Sequence, residues 1–469
     1  MGEVTQAVVL AAGRGSRLEN ETPKPLFPVL GLPLLARTLF TLQEGGIEEA
    51  VVVLGYEAER IRSEMEKIRR LRIKIRWVEN SRWEEPNGVS VLAAEPFVEG
   101  PFALTMSDHV FQREAVELLA ARSGEDIALA LVVDRDIDGV NDLDDATKVR
   151  LDGERIVEIG KDLERFDAVD TGVFLAEPAL FDALREAGPA PSLSEGVQVL
   201  ARRGAAVAVD GTGLRWQDVD TGDDVRAAER ALMARWPKPS DGPVARRLNR
   251  KVSTAITRML VHTSITPNQI SVSTLVVSLF AAWAAAMGGY GSWLLAGFLF
   301  QFASILDGVD GELALLTFQS SRRGEWIDTL CDSASYIAVL VGLIIGVERA
   351  GMSPVYFWGG IVGAVGALLS VLNINAYLLR ERNSGSAHAV EYGYQNGDGF
   401  FHRVMQVLHY LGRRDLFSFL GFLLAVMGQL PLALPLFGVG ATLFLLPATT
   451  QANLSSYLRR RRQRSIQRA

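Results

Sequence analysis

The chain has 469 residues, of which 48% are apolar, with a formal charge of −7 and a single cysteine, Cys331. That length allows two or three domains, and one cysteine excludes an internal disulfide and fits a reducing compartment. The apolar excess lies after residue 268 and positive charge gathers in the terminal R-R-R-R-Q-R, which argues against a nucleic-acid-binding protein and for a basic part that faces a membrane.

Met1–Gln6 is polar and the apolar Ala7–Ala12 is too short for a signal peptide, so no leader is expected. Ala7–Leu10 predicts a short strand that runs into A-A-G-R-G-S-R-L and then E-N-E-T-P-K-P-L. Gly13 and Gly15 free the backbone to wrap phosphates through its N–H groups. This is not a Walker loop, and Leu18 stands where the dinucleotide fingerprint needs its third glycine. Strands are predicted over Ala50–Leu54, Ile73–Val78, Phe102–Met106 and Ile127–Val133, with helices over Glu57–Arg70 and Glu114–Arg122. The alternation predicts a mostly parallel sheet with helices on both faces, and ligands at the carboxyl ends of its strands.

Asp108, in S-D-H, follows Phe102–Met106 and stands at such an end. Asp218 and Asp220 alternate with Val219, so on a strand both face one side, while Asp223 and Asp224 read as helix N-caps. Asn87 and Gly88, in E-E-P-N-G-V, read as a turn or as a loop that touches a ligand. The glycine loop together with Arg17 and T-P-K-P-L resembles the nucleotidyltransferases that join a nucleoside triphosphate to a sugar phosphate. The resemblance implies that Ala12, Gly13, Gly15 and Arg17 cradle the triphosphate and that Lys24 neutralises charge as pyrophosphate leaves. It implies that Asp108, Asp218 and Asp220 hold Mg²⁺ (or Mn²⁺), with Asn87 against the nucleotide. Lys148 and Lys161 are candidates for the acceptor phosphate, and Asp170, Thr171 and Gly172 resemble the acceptor-alcohol loop. No left-handed β-helix repeat follows, so the compact form is expected.

Pro237–Pro243 reads as a linker that ends a domain at residue 236. Val244–Val261 predicts a basic amphipathic helix, within a segment running to residue 262. Val244, Leu248, Val252, Ile256 and Met259 form its stripe, and Arg246, Arg247, Arg250, Lys251 and Arg258 lie mostly off it. Such a helix fits the plane of an anionic leaflet. From 263 to 469, apolar runs near 270–287, 292–310, 327–347, 355–379, 415–430 and 432–450 predict about six spans, each near the ~20 residues a bilayer needs. Arg322, Arg323, Arg380, Arg382, Arg403, Arg413, Arg414 and the terminal arginines fall on one side of them. The positive-inside rule makes that side cytoplasmic and places the first domain and both acid clusters there. The polar, glycine-rich stretch Arg380–Arg414 reads as a flexible lid or a partly disordered loop.

Four aspartates, Asp307, Asp310, Asp328 and Asp332, close or open apolar runs at helical i,i+3 and i,i+4 spacings, so each pair shares a face. Carboxylates so near hydrocarbon mark a site, and four convergent ones need a positive partner. Hard divalent ions suit such oxygen ligands, which predicts a metal cluster that holds a diphosphate. The stretch resembles the CDP-alcohol phosphotransferase signature D-x2-D-G-x2-A-R-x8-G-x3-D-x3-D. Asp307, Asp310, Gly311, Ala314, Gly324, Asp328 and Asp332 fall on its register, and Leu315 replaces the arginine, whose charge is then sought in Arg322 and Arg323. The resemblance implies metal on Asp307, Asp310 and Asp328, with Asp332, itself a further candidate ligand, helping to activate the attacking hydroxyl, and Asn268 and Gly311 against the nucleotide. Arg413 and Arg414 are placed to meet a charged acceptor.

The expected fold is therefore an α/β nucleotidyltransferase domain with a Rossmann-like mixed sheet, fused to an all-α membrane domain. The pair resembles the bifunctional inositol-1-phosphate cytidylyltransferase/di-myo-inositol-phosphate-phosphate synthase family. That implies CTP and inositol 1-phosphate as first substrates, a CDP-alcohol intermediate, a second inositol 1-phosphate as acceptor, and a homodimer through the membrane helices within membrane lipid. Two alternatives share the sequence features: a lipid acceptor in place of the soluble one, and a membrane-anchored nucleotide sensor with a degenerate transferase half.

Overall fold

The computed structural model describes residues 4–15, 22–140, 142–238, 241–381 and 414–466. They form two compact units, Met1–Ala234 and Arg235–Ala469.

The first unit is built on a nine-stranded sheet. Its order is Lys74–Glu79, Glu49–Leu54, Gln6–Ala11, Phe102–Met106, Ala168–Ala176, Leu129–Asp134, Ala206–Asp210, Arg155–Gly160 and Lys148–Asp152. The predicted strands lie within a residue or two of their expected bounds. The sheet is mixed. The four strands from Lys74–Glu79 to Phe102–Met106 run parallel, but Ala168–Ala176 pairs antiparallel with both its neighbours. A tight hairpin through Gly153, at φ +65°, then adds the antiparallel edge. The expectation of a mostly parallel sheet thus holds for one half; the other is turned by a short hairpin rather than by helical crossovers. Val8, Val51, Phe102, Leu104, Leu131 and Phe174 fill the core, and the Phe102 and Phe181 rings stack at 5.4 Å. These packed strands fix where their carboxyl ends, and the loops upon them, stand.

The second unit is helical. Four long helices, Pro267–Met287, Tyr290–Leu316, Arg322–Arg349 and Pro354–Glu381, and the run Leu430–Arg461 are long and apolar enough to cross a membrane. The expected span over 415–430 appears among the described residues as a helix of 13 residues, Arg414–Val426, short of a bilayer crossing. Pro267 opens the first long helix behind a capping box of Thr266 and Gln269. Gly342 and Gly346 let the Arg322–Arg349 helix lie directly against the backbone of Ala282 and Ala285, the small-residue packing that membrane helices use in place of a hydrophobic drive.

The basic amphipathic helix, a π turn at Ala245–Asn249 continuing as Arg250–Leu260, packs in an inverted sense. Its polar residues Asn249, Ser253 and Thr257 are buried, whereas Leu248, Val252 and Met259 are 41%, 38% and 75% exposed. A helix packed onto a water-soluble core would bury that stripe; an exposed stripe flanked by arginines suits a membrane interface. The buried face meets the Tyr290–Leu316 helix. Glu312, fully buried, accepts from Arg250 Nη1 (2.7 Å), Ser253 Oγ (2.6 Å) and Thr257 Oγ1 (2.6 Å). Arg250 is in turn held by both oxygens of Asp241, at 2.8 and 3.0 Å. Gln301 Nε2 donates to Asn249 Oδ1 (2.9 Å) further along the same seam.

Removing one partner of a buried ion pair strands the other charge, at a cost of about 3–5 kcal/mol. Arg250→Met is therefore expected to lower the denaturation midpoint of the membrane half sharply. The double variant Arg250→Met, Glu312→Leu is expected to recover a large part of that loss, which a double-mutant cycle in detergent would measure.

Candidate active sites

The first site is assembled at the carboxyl end of the central strands. After Gln6–Ala11 the chain passes through Ala12, Gly13 and Gly15. Gly15 takes φ +68°, and a Cβ there would collide with the Lys24 side chain, so only glycine lets the loop close onto that lysine. Lys24 begins a short 3₁₀ turn between Pro23 and Phe27 and is buried. Its Nζ donates to Asp108 Oδ2 at 2.5 Å and to Asp220 Oδ1, and Asp218 Oδ1 lies 4.0 Å away. Asp218 arrives through a two-stranded pairing of Trp216–Asp218 with His109–Phe111, in which it stands opposite His109. The three acids named from the sequence therefore do converge, around Lys24.

His109 is a member of the site that sequence reasoning passed over. It is buried, its Nδ1 donates to Asp108 Oδ1 at 2.8 Å, and it lies 3.9 Å from Asp218 Oδ1. Gly172, at φ +75°, leaves room for the ring, because a Cβ there would strike it. The signal was present in S-D-H, since a polar residue straight after a buried strand needs a partner. One ligand atom from each of Asp108, His109 and Asp218 falls within 4.8 Å of the others, so the three could hold a metal ion. Asp218 Oδ1 is buried and accepts no hydrogen bond, which fits an oxygen held for a cation.

The charges perturb one another strongly. Burial opposes the ammonium of Lys24, but Asp108, Asp218 and Asp220 outweigh it and hold its pKa above the usual lysine range. Burial likewise opposes the charge of Asp108, yet Lys24 and His109 hold it well below the usual carboxylate range. Against its own burial, His109 is raised to about 9 by Asp218, Asp108 and Asp170. Burial pushes Asp218 up to about 6, against the pull of His109 and Lys24. Asp170 is also pushed by burial to about 6, with the Gly172 amide and His109 opposing.

Other predicted positions resolve differently. Asp170, Thr171 and Gly172 stand in the strand Ala168–Ala176, not in a loop. A register shift between Asp170 and Phe174 bulges it and lets the Gly172 amide donate to Asp170 Oδ1 (2.7 Å). Asn87 and Gly88 are not a loop either. They open the helix Asn87–Ala94, where Asn87 Oδ1 accepts from the Leu193 amide (2.8 Å) and Gly88 makes room for Pro191 and Leu184. Lys148 Nζ donates to the Lys161 carbonyl (2.7 Å) and Lys161 pairs with Asp145 (2.7 Å). The Asp170 amide donates to the Thr147 carbonyl (2.9 Å), which sets this lysine end beside Asp170. Thr221 is the N-cap ahead of Asp223, with Asp224 reciprocating in a capping box, so neither aspartate is itself the cap. Arg17, Arg413 and residues 382–413 of the expected lid lie outside the described residues, while Arg380 and Arg414 at its ends stand in helices.

The charged groups of the second site come from three helices, and a fourth, Pro267–Met287, supports them. Asp307 and Asp310 on Tyr290–Leu316 and Asp328 on Arg322–Arg349 place one oxygen each within 4.8 Å of the others, an all-oxygen set that could hold a metal ion. Asp310 Oδ2 accepts from Ser271 Oγ at 2.5 Å. Arg414 Nη1 donates to Asp307 Oδ1 (2.6 Å) and to Asp332 Oδ1, so the fourth aspartate is tied to the cluster through an arginine. Arg322 and Arg323 are exposed at their helix start, and among the described residues the cation at the acids is Arg414. Its Nε and Nη2 are buried without a hydrogen-bond partner. A Cβ on Gly324 would lie 3.1 Å from Asn268 Oδ1, which brings Asn268 to the same end, and Gly311 faces open space.

These two folds and sites define a nucleotidyltransferase joined to a CDP-alcohol phosphotransferase. The MobA-like NTP transferase domain matches residues 7–185, and the CDP-alcohol phosphatidyltransferase family matches residues 264–411. The "bifunctional IPC transferase and DIPP synthase" of Rubrobacter xylanophilus is 41% identical over 345 residues, 72% of this chain and 77% of that one. Its namesake from Thermococcus kodakarensis is 35% identical over 373 residues, 78% and 80% of the two chains. A solved inositol-1-phosphate CTP transferase from T. maritima is similar at 26% identity and a TM-score of 0.46, covering 50% of this chain and 98% of its own. The chain belongs to the bifunctional IPC transferase and DIPP synthase family.

A divalent ion must displace whatever proton Asp218 carries. Because that carboxyl is raised to about 6 and His109, a second member of the set, to about 9, ion binding releases a proton wherever either group still carries one. Metal affinity at the first site is thus expected to rise as pH climbs from 5 to 7 and to go on rising toward 9. Calorimetry in buffers of different ionisation enthalpy would check this, with Asp218→Asn flattening the lower part of the rise.

Proposed function

We propose that the protein carries out two consecutive transfers at phosphorus. In the first, the phosphate of inositol 1-phosphate attacks the α-phosphorus of CTP, giving CDP-inositol and pyrophosphate. In the second, a hydroxyl of another inositol 1-phosphate attacks the inositol-bearing phosphorus of CDP-inositol, giving a phosphodiester and CMP. The observation that carries the reading is that one chain holds two carboxylate clusters, each able to take a cation and each fitted with its own basic side chain, Lys24 and Arg414.

In the first site Asp108 and Asp218 would hold Mg²⁺, or Mn²⁺, with Asp220 orienting Lys24. In the second, Asp307, Asp310 and Asp328 would do so, beside Asp332. The ion, when bound, withdraws charge from the reacting phosphates and aligns them. Gly13, Gly15 and Arg17 cradle the triphosphate, Lys24 takes up charge on the departing pyrophosphate, and Lys148 with Asp170 meets the inositol phosphate. Asn268 and Gly311 border the nucleotide of the second site. Asp332 accepts the proton of the attacking hydroxyl. The buried N–H groups of Arg414 that have no hydrogen-bond partner suit an anionic acceptor, since a guanidinium fork binds phosphate in two places. A degenerate sensor would gain nothing by holding three mutually repelling carboxylates within 4.8 Å. On this reading both sites lie on the cytoplasmic side of a cell membrane, which the arginines of the connections support, and a homodimer through the membrane helices goes with it.

Incubation of the reconstituted protein with CTP, Mg²⁺ and inositol 1-phosphate, followed by ³¹P NMR, is expected to show pyrophosphate first and then a diester with CMP. Absence of pyrophosphate with every alcohol phosphate offered defeats the reading. Asp108→Asn is expected to slow the first reaction by about a hundredfold or more, the scale of losing one preorganised charge-stabilising group, while sparing consumption of supplied CDP-inositol. Asp310→Asn is expected to do the reverse.

A further inference from the structure

The charged end of the second site rests on a layer of aromatic rings, one from each of the three helices that supply it. Phe300 stands seven residues before Asp307, Tyr336 four after Asp332, and Phe417 three after Arg414. Each spacing keeps the ring on the face of the charged residue and sets it one or two turns toward the hydrocarbon. The rings meet. Phe300 lies 6.0 Å from Tyr336 and 5.9 Å from Phe417, both edge-on, and Tyr336 lies 5.8 Å from Phe417. Phe300 is 6% exposed. The Arg414 guanidinium sits over the Tyr336 ring at 5.7 Å, joining the two layers. Beside Phe300 and Phe417, Ser418 Oγ donates to Gln301 Oε1 at 2.9 Å and pins those two helices together.

We propose that this ring layer is a specificity-determining floor: it closes the space between the three helices under the acids and bars a substrate that must trail acyl chains into the bilayer. A lipid-linked donor reacting at these aspartates would thread its chains down that space, which three mutually touching rings, two of the pairs edge-on and the third tilted, occupy. Both donor and acceptor of the second reaction are therefore water-soluble and enter from the aqueous side. The inference rests on the two-step function proposed above and adds the residues that impose the choice of substrate class.

The test uses the full chain in liposomes, with CMP release as the readout and inositol 1-phosphate as acceptor. CDP-inositol and CDP-dioleoylglycerol are compared as donors. The native protein is expected to use CDP-inositol and to turn over the lipid donor at least about a hundredfold more slowly. Phe417→Ala is expected to narrow that ratio by about tenfold or more, the range in which a pocket gains or loses part of a side chain. Pyrophosphate formation by the same polypeptide, and its melting profile, report whether the variant is folded; Phe417→Val, a smaller change, carries the same expectation if the alanine variant is not. A native protein that uses the lipid donor within tenfold of CDP-inositol overturns the proposal, as does a folded variant with an unchanged ratio. Failure of the native protein to use CDP-inositol at all strikes the two-step function instead.

Discussion

Like charges held close together are what both halves of this molecule are built to sustain. Three carboxylate oxygens lie within 4.8 Å of one another in the second half, and two carboxylates share that space with a histidine in the first; like charges so close repel steeply where water is scarce. Such a cluster survives only if its backbone supports are rigid and a cation sits among the acids. The first half meets the condition with strand ends, whose ladders fix Asp108 and Asp218 through the pairing of His109 with Asp218. The second meets it with helix faces. There Asp307 and Asp310 share one helix, Asp328 and Asp332 another, and Arg414 bridges from a third.

The helix that bears Asp307 and Asp310 needs support along a neighbouring face as well. That side carries Gln301, Ser304 and Glu312, polar groups that hydrocarbon could not accept. They are satisfied by Asn249, Arg250, Ser253 and Thr257 of the interfacial helix. This accounts for the inverted burial of that helix. Its polar face is what the catalytic helix requires, and its apolar stripe is left for lipid. Asp415, next to Arg414 in sequence, accepts from the Ala245 amide at 3.0 Å, so the same short helix touches two of the three elements around the acids. Its sequence announced membrane affinity; its hydrogen bonds show that it also holds the helix of Asp307 and Asp310 in place.

How much of this was legible depended on how far apart the cooperating residues lie in the chain. The quartet was readable because helical spacing alone puts each pair on one face. Asp108 was readable because a strand precedes it directly. His109 was not, because its partners come from Trp216–Asp218 and from a bulge at Gly172, pairings that no local pattern encodes. Asn87 misled because a Pro-Asn-Gly stretch signals a turn as readily as a helix start, and only the docking of Leu193 decides between them. The mixed character of the sheet was expected, but the place of the reversal was not, because a short hairpin turns a strand where the alternation of elements suggested another crossover. Glu312 lay inside the recognised motif yet carried no signal of its own, since its role is set by Ser253 and Thr257 on a neighbouring helix.

The two basic side chains also follow from where each cluster sits. Lys24 is a compact charge on a flexible stem, and the acids around it come from separate loops and strand ends at varied angles. A point charge can serve Asp108, Asp218 and Asp220 without demanding a common plane. At the membrane site the bridged acids stand on two parallel faces and the cation must rest against a ring. A guanidinium suits that position, because it is weakly hydrated, planar and able to stack while its edge points at carboxylates. Arg414 does both, with its edge on Asp307 and Asp332 and its face over Tyr336. Lysine at 414 would keep the charge and lose the stack, so the ring layer and the choice of arginine are one adaptation to chemistry conducted at the border of hydrocarbon.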